Sequence, residues 1–407
     1  MPPRSAYIHV PFCRHRCGYC NFTLITGRDD LVDSYLDALE LEMSSQLESP
    51  QEVDTLFLGG GTPSYLTGEA LQRLFAMIQY WLPLAPGGEF SSEMNPLDCV
   101  AEQLEEFRAA GVNRASVGGQ SFAADKLKIL ERDHSGEDLE AALARCAKFF
   151  PSVSLDLIFA SPGETVAQWR SDLQLAMKSP IQHLSTYGLT IERGAAFYSR
   201  VARQELTEID ADEQLEMYSH VMDALVAAGW EHYEVSNFSL PGFRCRHNEA
   251  YWLGRPWWAF GPGAASYLEA SLAGELTDER KVEPSDRIAG NATLNASSNM
   301  VRRVNHRSTT TYIRRVLAGQ SSVAEREVLS PEQQVRERLV FGLRRLEGVC
   351  WGGLEQWWKA PLEPLFQPYL SRYLEQGWLE WSGEHLRLTR AGLVISDALW
   401  PDLLCAD

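Results

Sequence analysis

The sequence has no apolar run long enough to span a bilayer, which takes about 20 residues as a helix. Its start shows no apolar leader with a cleavage site, because residues 5–10 already alternate like a strand. Positive charge is scarce: 37 Lys and Arg stand against 55 Asp and Glu, a net charge of −18. A protein that grips nucleic-acid phosphates needs a positive patch, and the short pairs Arg302-Arg303 and Arg344-Arg345 read as solvated helix faces instead. These shortages predict a cytoplasmic protein with no transmembrane segment and no nucleic-acid partner; peripheral membrane contact through partners stays open. Cysteine is sparse as well, eight in 407 residues. In a reducing compartment such thiols are better read as metal ligands or core residues than as disulfides. Five are scattered, at Cys99, Cys146, Cys245, Cys350 and Cys405, while Cys13, Cys17 and Cys20 crowd together.

The length exceeds what one hydrophobic core usually organises. Up to about residue 236, short β-rich runs alternate with helical stretches, the pattern of parallel βα units. Strand candidates lie at 7–10, 54–58, 89–93, 114–118, 154–159 and 183–189, with a weaker one at 231–236. Leu31, Tyr35, Leu39 and Met43 recur at i+4 on the first helix. Asp98 is placed to cap a helix that ends before Gly111, and Asp210 to cap another that ends before Gly229. Six repeats are too few for a closed eight-stranded barrel. The expected fold class is therefore α/β, a partial (βα)6 barrel with a small C-terminal helical, winged-helix-like domain. The barrel is assigned to 1–240 and a following segment, with a polar insertion at 271–298, to 241–329. The C-terminal unit takes 330–407, where Pro331 opens a helix and 378–389 reads as a wing. Parallel sheets carry their chemistry in the loops after the strands, and every unusual motif falls there.

Cys13-Arg-His-Arg-Cys17-Gly-Tyr-Cys20 is C-x3-C-x2-C directly after the first strand. A cubane [4Fe-4S] cluster takes four ligands, commonly thiolates, so three cysteines with no fourth nearby leave one iron open. The alternative is a structural zinc held by the three thiols and His15 or His9, although zinc pairs usually come as C-x2-C knuckles. The second strand ends in Gly59-Gly60-Gly61-Thr62-Pro63, where glycines admit a ligand close to the backbone; a tight βα turn is the plain alternative. Glu93 ends the third strand, Gln120 follows the fourth, and Asp156 lies inside the apolar fifth, a costly place for a carboxylate without a partner. Each could equally be a structural hydrogen-bonder.

Tyr-Ile-His-Val-Pro-Phe-Cys, Gly-Gly-Gly-Thr-Pro, Glu-Met-Asn-Pro, Gly-Gly-Gln-Ser-Phe and Leu-Asp-Leu-Ile, in that order, resemble the successive blocks of the oxygen-independent coproporphyrinogen-oxidase superfamily of radical S-adenosylmethionine (SAM) proteins. The likeness resumes at 341–349. It implies a radical SAM barrel whose open iron is ligated by SAM, with Cys13, Cys17 and Cys20 as the metal ligands. Residue by residue, it implies SAM contacts for Tyr7, Gly60, Gly61, Thr62, Glu93, Gln120, Arg132 and Asp156. One departure is Ala160-Ser161-Pro162, where the family usually has Gly-Leu-Pro.

Two features divide the branches of this superfamily. The oxidases carry a further cysteine two residues after the third ligand, and this chain has Phe22 there. The HemW heme-chaperone branch carries H-N-x-x-Y-W, and this chain has His247-Asn248-Glu249-Ala250-Tyr251-Trp252. His247 offers an axial imidazole, and Tyr251 and Trp252 offer flat faces to a macrocycle; a satisfied loop histidine beside core aromatics is the bland alternative. Ala265 stands where relatives often have histidine. The resemblance thus implies heme as cargo, heme-acceptor proteins (possibly respiratory) as partners and a possible homodimer, with no residue assigned a catalytic role. The alternatives are an oxidase that decarboxylates coproporphyrinogen III in porphyrin biosynthesis, or a simple electron carrier.

Overall fold

The computed structural model describes residues 2–273 and 299–405. Six parallel strands follow one another in a single sheet: β1 (Ser5–Val10), β2 (Val53–Gly60), β3 (Leu84–Met94), β4 (Arg114–Gln120), β5 (Ser152–Phe159) and β6 (His183–Gly188). Helices connect them, as parallel strands require, so the partial (βα)6 barrel is present as expected. The connecting helices are specified locally. Ser135 with Asp138 and Thr165 with Gln168 form complete capping boxes, and Asp210 caps Ala211–Ala227 by accepting from the amide of Asp212. On the first helix, Val32–Gln46, Tyr35, Leu39 and Met43 are buried, while Leu31 sits just before its first turn.

Three details differ from the reading of the sequence. The helix after β3 begins at Ala101 with no side-chain cap. Asp98, expected to cap it, is buried and turned instead toward Ser64 and Arg14. The weak seventh strand is the short β7 (Glu231–Glu234), which turns back into β8 (Asn237–Ser239) as an antiparallel hairpin against β6. At the other edge β9 (Trp258–Phe260) pairs parallel to β1. The sheet order is therefore β7-β8-β6-β5-β4-β3-β2-β1-β9. Its return past β1 demands Gly261, at φ +96°, where a Cβ would lie 2.5 Å from the His9 carbonyl oxygen.

A small antiparallel sheet follows, β10 (Ala265–Glu269), β11 (Met300–Asn305) and β12 (Val323–Leu329). The insertion expected at 271–298 lies outside the described residues, apart from the turn at 271–273. Glu42, on the first helix, is buried and accepts from the Gly261 amide, Asn305, Tyr312 and Ser322, which locks this sheet onto the barrel. Pro331–Leu343, with a capping box from Ser330, leads into the C-terminal unit. That unit holds β13 (Val349–Cys350) and the wing hairpin β14 (Leu379–Ser382) and β15 (His385–Leu388). Its amide of Leu346 donates to Tyr233 of β7, and one apolar core runs from Ala6 to Leu403.

Candidate functional site

The loop after β1 is folded by its own backbone. The Ile25 amide donates to Pro11 and the Cys13 amide to Ile25, while Arg16 reaches the carbonyls of Cys20, Phe22 and Leu24. Gly18 has no room for a side chain, because a Cβ there would lie 2.3 Å from Phe197. This loop carries Cys13, Cys17 and Cys20, all free thiols, to the wall of one cavity of about 400 Å3. Gly60, Gly61, Thr62, Glu93 and Gln120 line the same cavity from the C-terminal ends of β2, β3 and β4 or the loops after them, Asp156 from the middle of β5, and Arg132 from beyond the short helix Ala124–Ile129. Residues spread over about 140 positions are thus gathered by strand order alone, as parallel sheets gather ligands.

Two contacts join the cysteine loop to the other walls. The Cys13 sulfur lies 3.1 Å from the Thr62 hydroxyl, and Arg132 donates to Cys17 at 3.6 Å and to the Gly118 carbonyl at 2.7 Å. Gly60, at φ +117°, lies over the ring of His9, and a Cβ on Gly61 would strike the Phe12 carbonyl. These glycines are required by close packing as well as by any ligand.

The electrostatics are unusual for a plain turn. Burial and then the nearby Asp156 push the Glu93 carboxyl up to about 8, although the Gly60 amide donates to it at 3.0 Å. Burial also raises Asp156, against the hydroxyls of Ser185 and Ser116 and the charge of Arg114. The Arg132 Nε is buried without a partner. Two carboxylates awaiting positive charge beside a guanidinium awaiting an acceptor suit a ligand carrying both signs. SAM, with its sulfonium, ammonium and carboxylate, is such a ligand. Three thiols on one wall fit a cluster with several irons. Among the described residues no three His, Cys, Asp or Glu side chains converge to hold a single metal ion.

Tyr7 does not line the cavity of the three thiols but stands beside Glu93 on its border. It lines a second cavity of about 530 Å3, and its hydroxyl donates to Nδ1 of His9 at 3.1 Å, since His9 Nε2 must donate to the Thr23 carbonyl. This second cavity shares Phe22, Gly60 and Glu93 with the first. Tyr251 and Trp252 also line it, together with Trp257, Phe341, Ala265 and Arg307. They arrive on the helix Arg246–Trp252, which packs under β2.

His247 is placed differently. It is 1% exposed, stacks on Phe57, and has both ring nitrogens engaged, Nδ1 with Thr55 at 3.0 Å and Nε2 with the Tyr251 hydroxyl at 2.7 Å. Burial holds its pKa down to about 3, so it is neutral. The second cavity is lined by Tyr251 and Trp252 but not by His247.

Arg14, Trp257 and Arg307 carry no signal in the sequence, while His9 is legible there only as an alternative zinc ligand and Asp98 only as a helix cap. Asp98 was visible as an acidic residue near a helix start; only the fold shows its partners to be Arg14 and Ser64, from other loops.

Comparison with known proteins agrees with this geometry. Residues 7–176 match the radical SAM superfamily and residues 329–395 the HemN C-terminal domain. The chain is 37% identical to the heme chaperone HemW of Synechocystis over 67% of this chain and 68% of that protein. It is 42% identical to the heme chaperone HemW of Mycobacterium tuberculosis over 65% of this chain and 70% of that one. The Escherichia coli heme chaperone HemW is 36% identical, over 65% and 70%. In structure the chain resembles the Escherichia coli coproporphyrinogen III oxidase HemN, a radical SAM enzyme, with a TM-score of 0.80 at 20% identity, covering 98% of this chain and 90% of that one. Identity that low shows a shared fold alone. The sequence relatives decide the branch, and the chain belongs to the HemW family of the radical SAM superfamily.

Proposed function

We propose that this protein is a heme chaperone: it binds heme, holds a SAM-coordinated [4Fe-4S] cluster and passes the heme to acceptor proteins. The observation that carries the reading is the cavity bearing Tyr251 and Trp252, which shares Gly60 and Glu93 with the cavity bearing the three thiols. A cargo site and a cofactor site are thereby neighbours in one sheet. The names of the sequence relatives support the same reading.

Cys13, Cys17 and Cys20 would hold the cluster, which with SAM supplies one-electron chemistry beside the cargo. This chain's own residues prepare the place. Arg132 steadies the Cys17 sulfur, Glu93 and Asp156 offer negative charge, and the glycine-rich turn brings backbone close to the ligand. Tyr7 stands on the shared border, as a contact from the heme side of SAM. Respiratory hemoproteins as acceptors, and a homodimer as the working form, belong to the same proposal.

Hemin titrated into anaerobically reconstituted protein tests the reading, with saturable one-to-one binding as the expected result. The competing reading, decarboxylation of coproporphyrinogen III, draws on the shared fold with HemN. Protoporphyrinogen formed at catalytic turnover by the reconstituted protein with SAM would replace the chaperone assignment. Phe22, exposed on the border of both cavities, stands where the oxidase branch has its additional cysteine.

A further inference from the structure

Resting on the heme-chaperone reading, we infer that the iron of the cargo is ligated by the phenolic oxygen of Tyr251, with His247 behind it as the positioning residue rather than the ligand. The hydrogen-bond directions carry this. The Thr55 hydroxyl donates to Ser5 at 2.9 Å, so its oxygen accepts from His247 Nδ1 and that nitrogen bears the ring proton. The lone pair of Nε2 is then turned to the Tyr251 hydroxyl, which donates to it at 2.7 Å. Neither nitrogen is left for a metal, and the ring is sandwiched between Phe57 and the edge of Tyr251. For His247 Nε2 to reach an iron, the hydrogen bond from the Tyr251 hydroxyl would have to break and the Tyr251 ring, which lines the cavity in front of it, would have to move.

Tyr251 differs in position rather than in hydrogen bonding, since its hydroxyl is also engaged. It is half-buried and lines the second cavity, with the edge of Trp257 at 4.6 Å between ring centroids. Trp252, Trp257 and Phe341 supply apolar walls for a macrocycle, and the exposed Arg307 supplies a cation for a propionate. The cavity of about 530 Å3 lies within the range of cofactor sites. Tyrosine is an established protein ligand of ferric heme. Burial raises the phenols of both Tyr251 and Tyr7, and Tyr7 has the Glu93 carboxyl as an additional neighbour opposing a phenolate.

The chemistry balances without a further reagent. The iron–oxygen bond forms as the phenolic O–H breaks, and the proton follows the existing hydrogen bond to Nε2 of His247. The iron-bound phenolate oxygen stays hydrogen-bonded to that imidazolium, which offsets part of the burial that otherwise keeps His247 neutral. No change of iron oxidation state is involved.

The test is spectroscopic, on the full chain with hemin. In the wild type, resonance Raman excitation of the ferric complex should show tyrosinate modes, which needs no variant to fold. Tyr251→Phe should lose those modes and bind hemin about tenfold or more weakly, with cluster absorbance retained. Tyr7→Phe should keep the modes. An imidazole-type ferric spectrum in the wild type, or tyrosinate modes that survive in Tyr251→Phe, would overturn the ligand assignment while leaving the chaperone reading intact. Absence of any saturable hemin binding in the wild type overturns both.

Discussion

Arg14 and Asp98 are 84 residues apart in the chain, yet the guanidinium donates to the carboxylate at 2.6 Å. Asp98 also accepts from Ser64 at 3.0 Å, so one buried carboxylate ties the cysteine loop to the turn after the glycine run. The two loops that would bracket a cluster are thus held at a fixed separation. Asp98→Ala should leave the fold intact but loosen that clamp. Reconstituted protein should lose iron to a chelator several times faster than the wild type, read from the decay of cluster absorbance.

Changing Cys13, Cys17 or Cys20 singly to alanine should reduce iron from about four per chain toward zero. Cys99→Ala and Cys146→Ala should retain full iron, since both thiols are buried in the apolar core away from the cavity. Iron and sulfide analysis after anaerobic reconstitution decides it.

Glu93 predicts a pH dependence of the ligand-free protein. Its carboxyl rises from an ordinary 4.5 to about 8 on folding, so the native state holds a proton that the unfolded chain releases between those values. Stability should therefore fall as pH climbs from about 4.5 to about 8, by on the order of 3–5 kcal/mol from this group at the upper end. Glu93→Gln should remove that slope. Thermal midpoints of both proteins across the interval measure it, and parallel curves would show that Glu93 is not the source.

Lys126 lies buried between Glu164 at 2.6 Å and Asp172 at 3.1 Å, and these carboxylates also accept from the amides of Ser161 and Phe122. The triad thus holds the loops after β5 and β4, the second of which follows directly on Gln120. Lys126→Met removes the only cation of the group and leaves two buried carboxylates unpaired, at a cost of about 3–5 kcal/mol. Denaturant unfolding should show it as a lower midpoint with an unchanged slope.

What could be read from the sequence was what depends on neighbours along the chain. The spacing of Cys13, Cys17 and Cys20 declares its chemistry locally, and so do the strand-ending glycines and the capping serines and threonines. The order of parallel strands then carries these motifs to one edge without further information. What could not be read depends on partners far away. Asp98 looked like a helix cap because residue type and position fit one, but a guanidinium from the first loop and a hydroxyl from the second outcompete the helix amides. β9 is three residues long, too short to announce itself by alternation, and its partner is some 250 residues earlier. His247 reads as a ligand from residue type alone; its hydrogen bonds to Thr55, from a strand, and to Tyr251, one helical turn on, are visible only in the fold. Side-chain identity suggests a chemistry, and only the surrounding hydrogen bonds say whether it is free.

The pairing of β9 with β1 has a consequence for biogenesis. Synthesis from the N-terminus makes β1 early, but its outer edge gains a neighbour only once residue 260 has been made. Until then the flank that bears the cysteine loop is an unpaired strand edge. The same stretch of chain brings Trp257 beside Tyr251, so this wall of the aromatic cavity is completed only after all six parallel strands have been made.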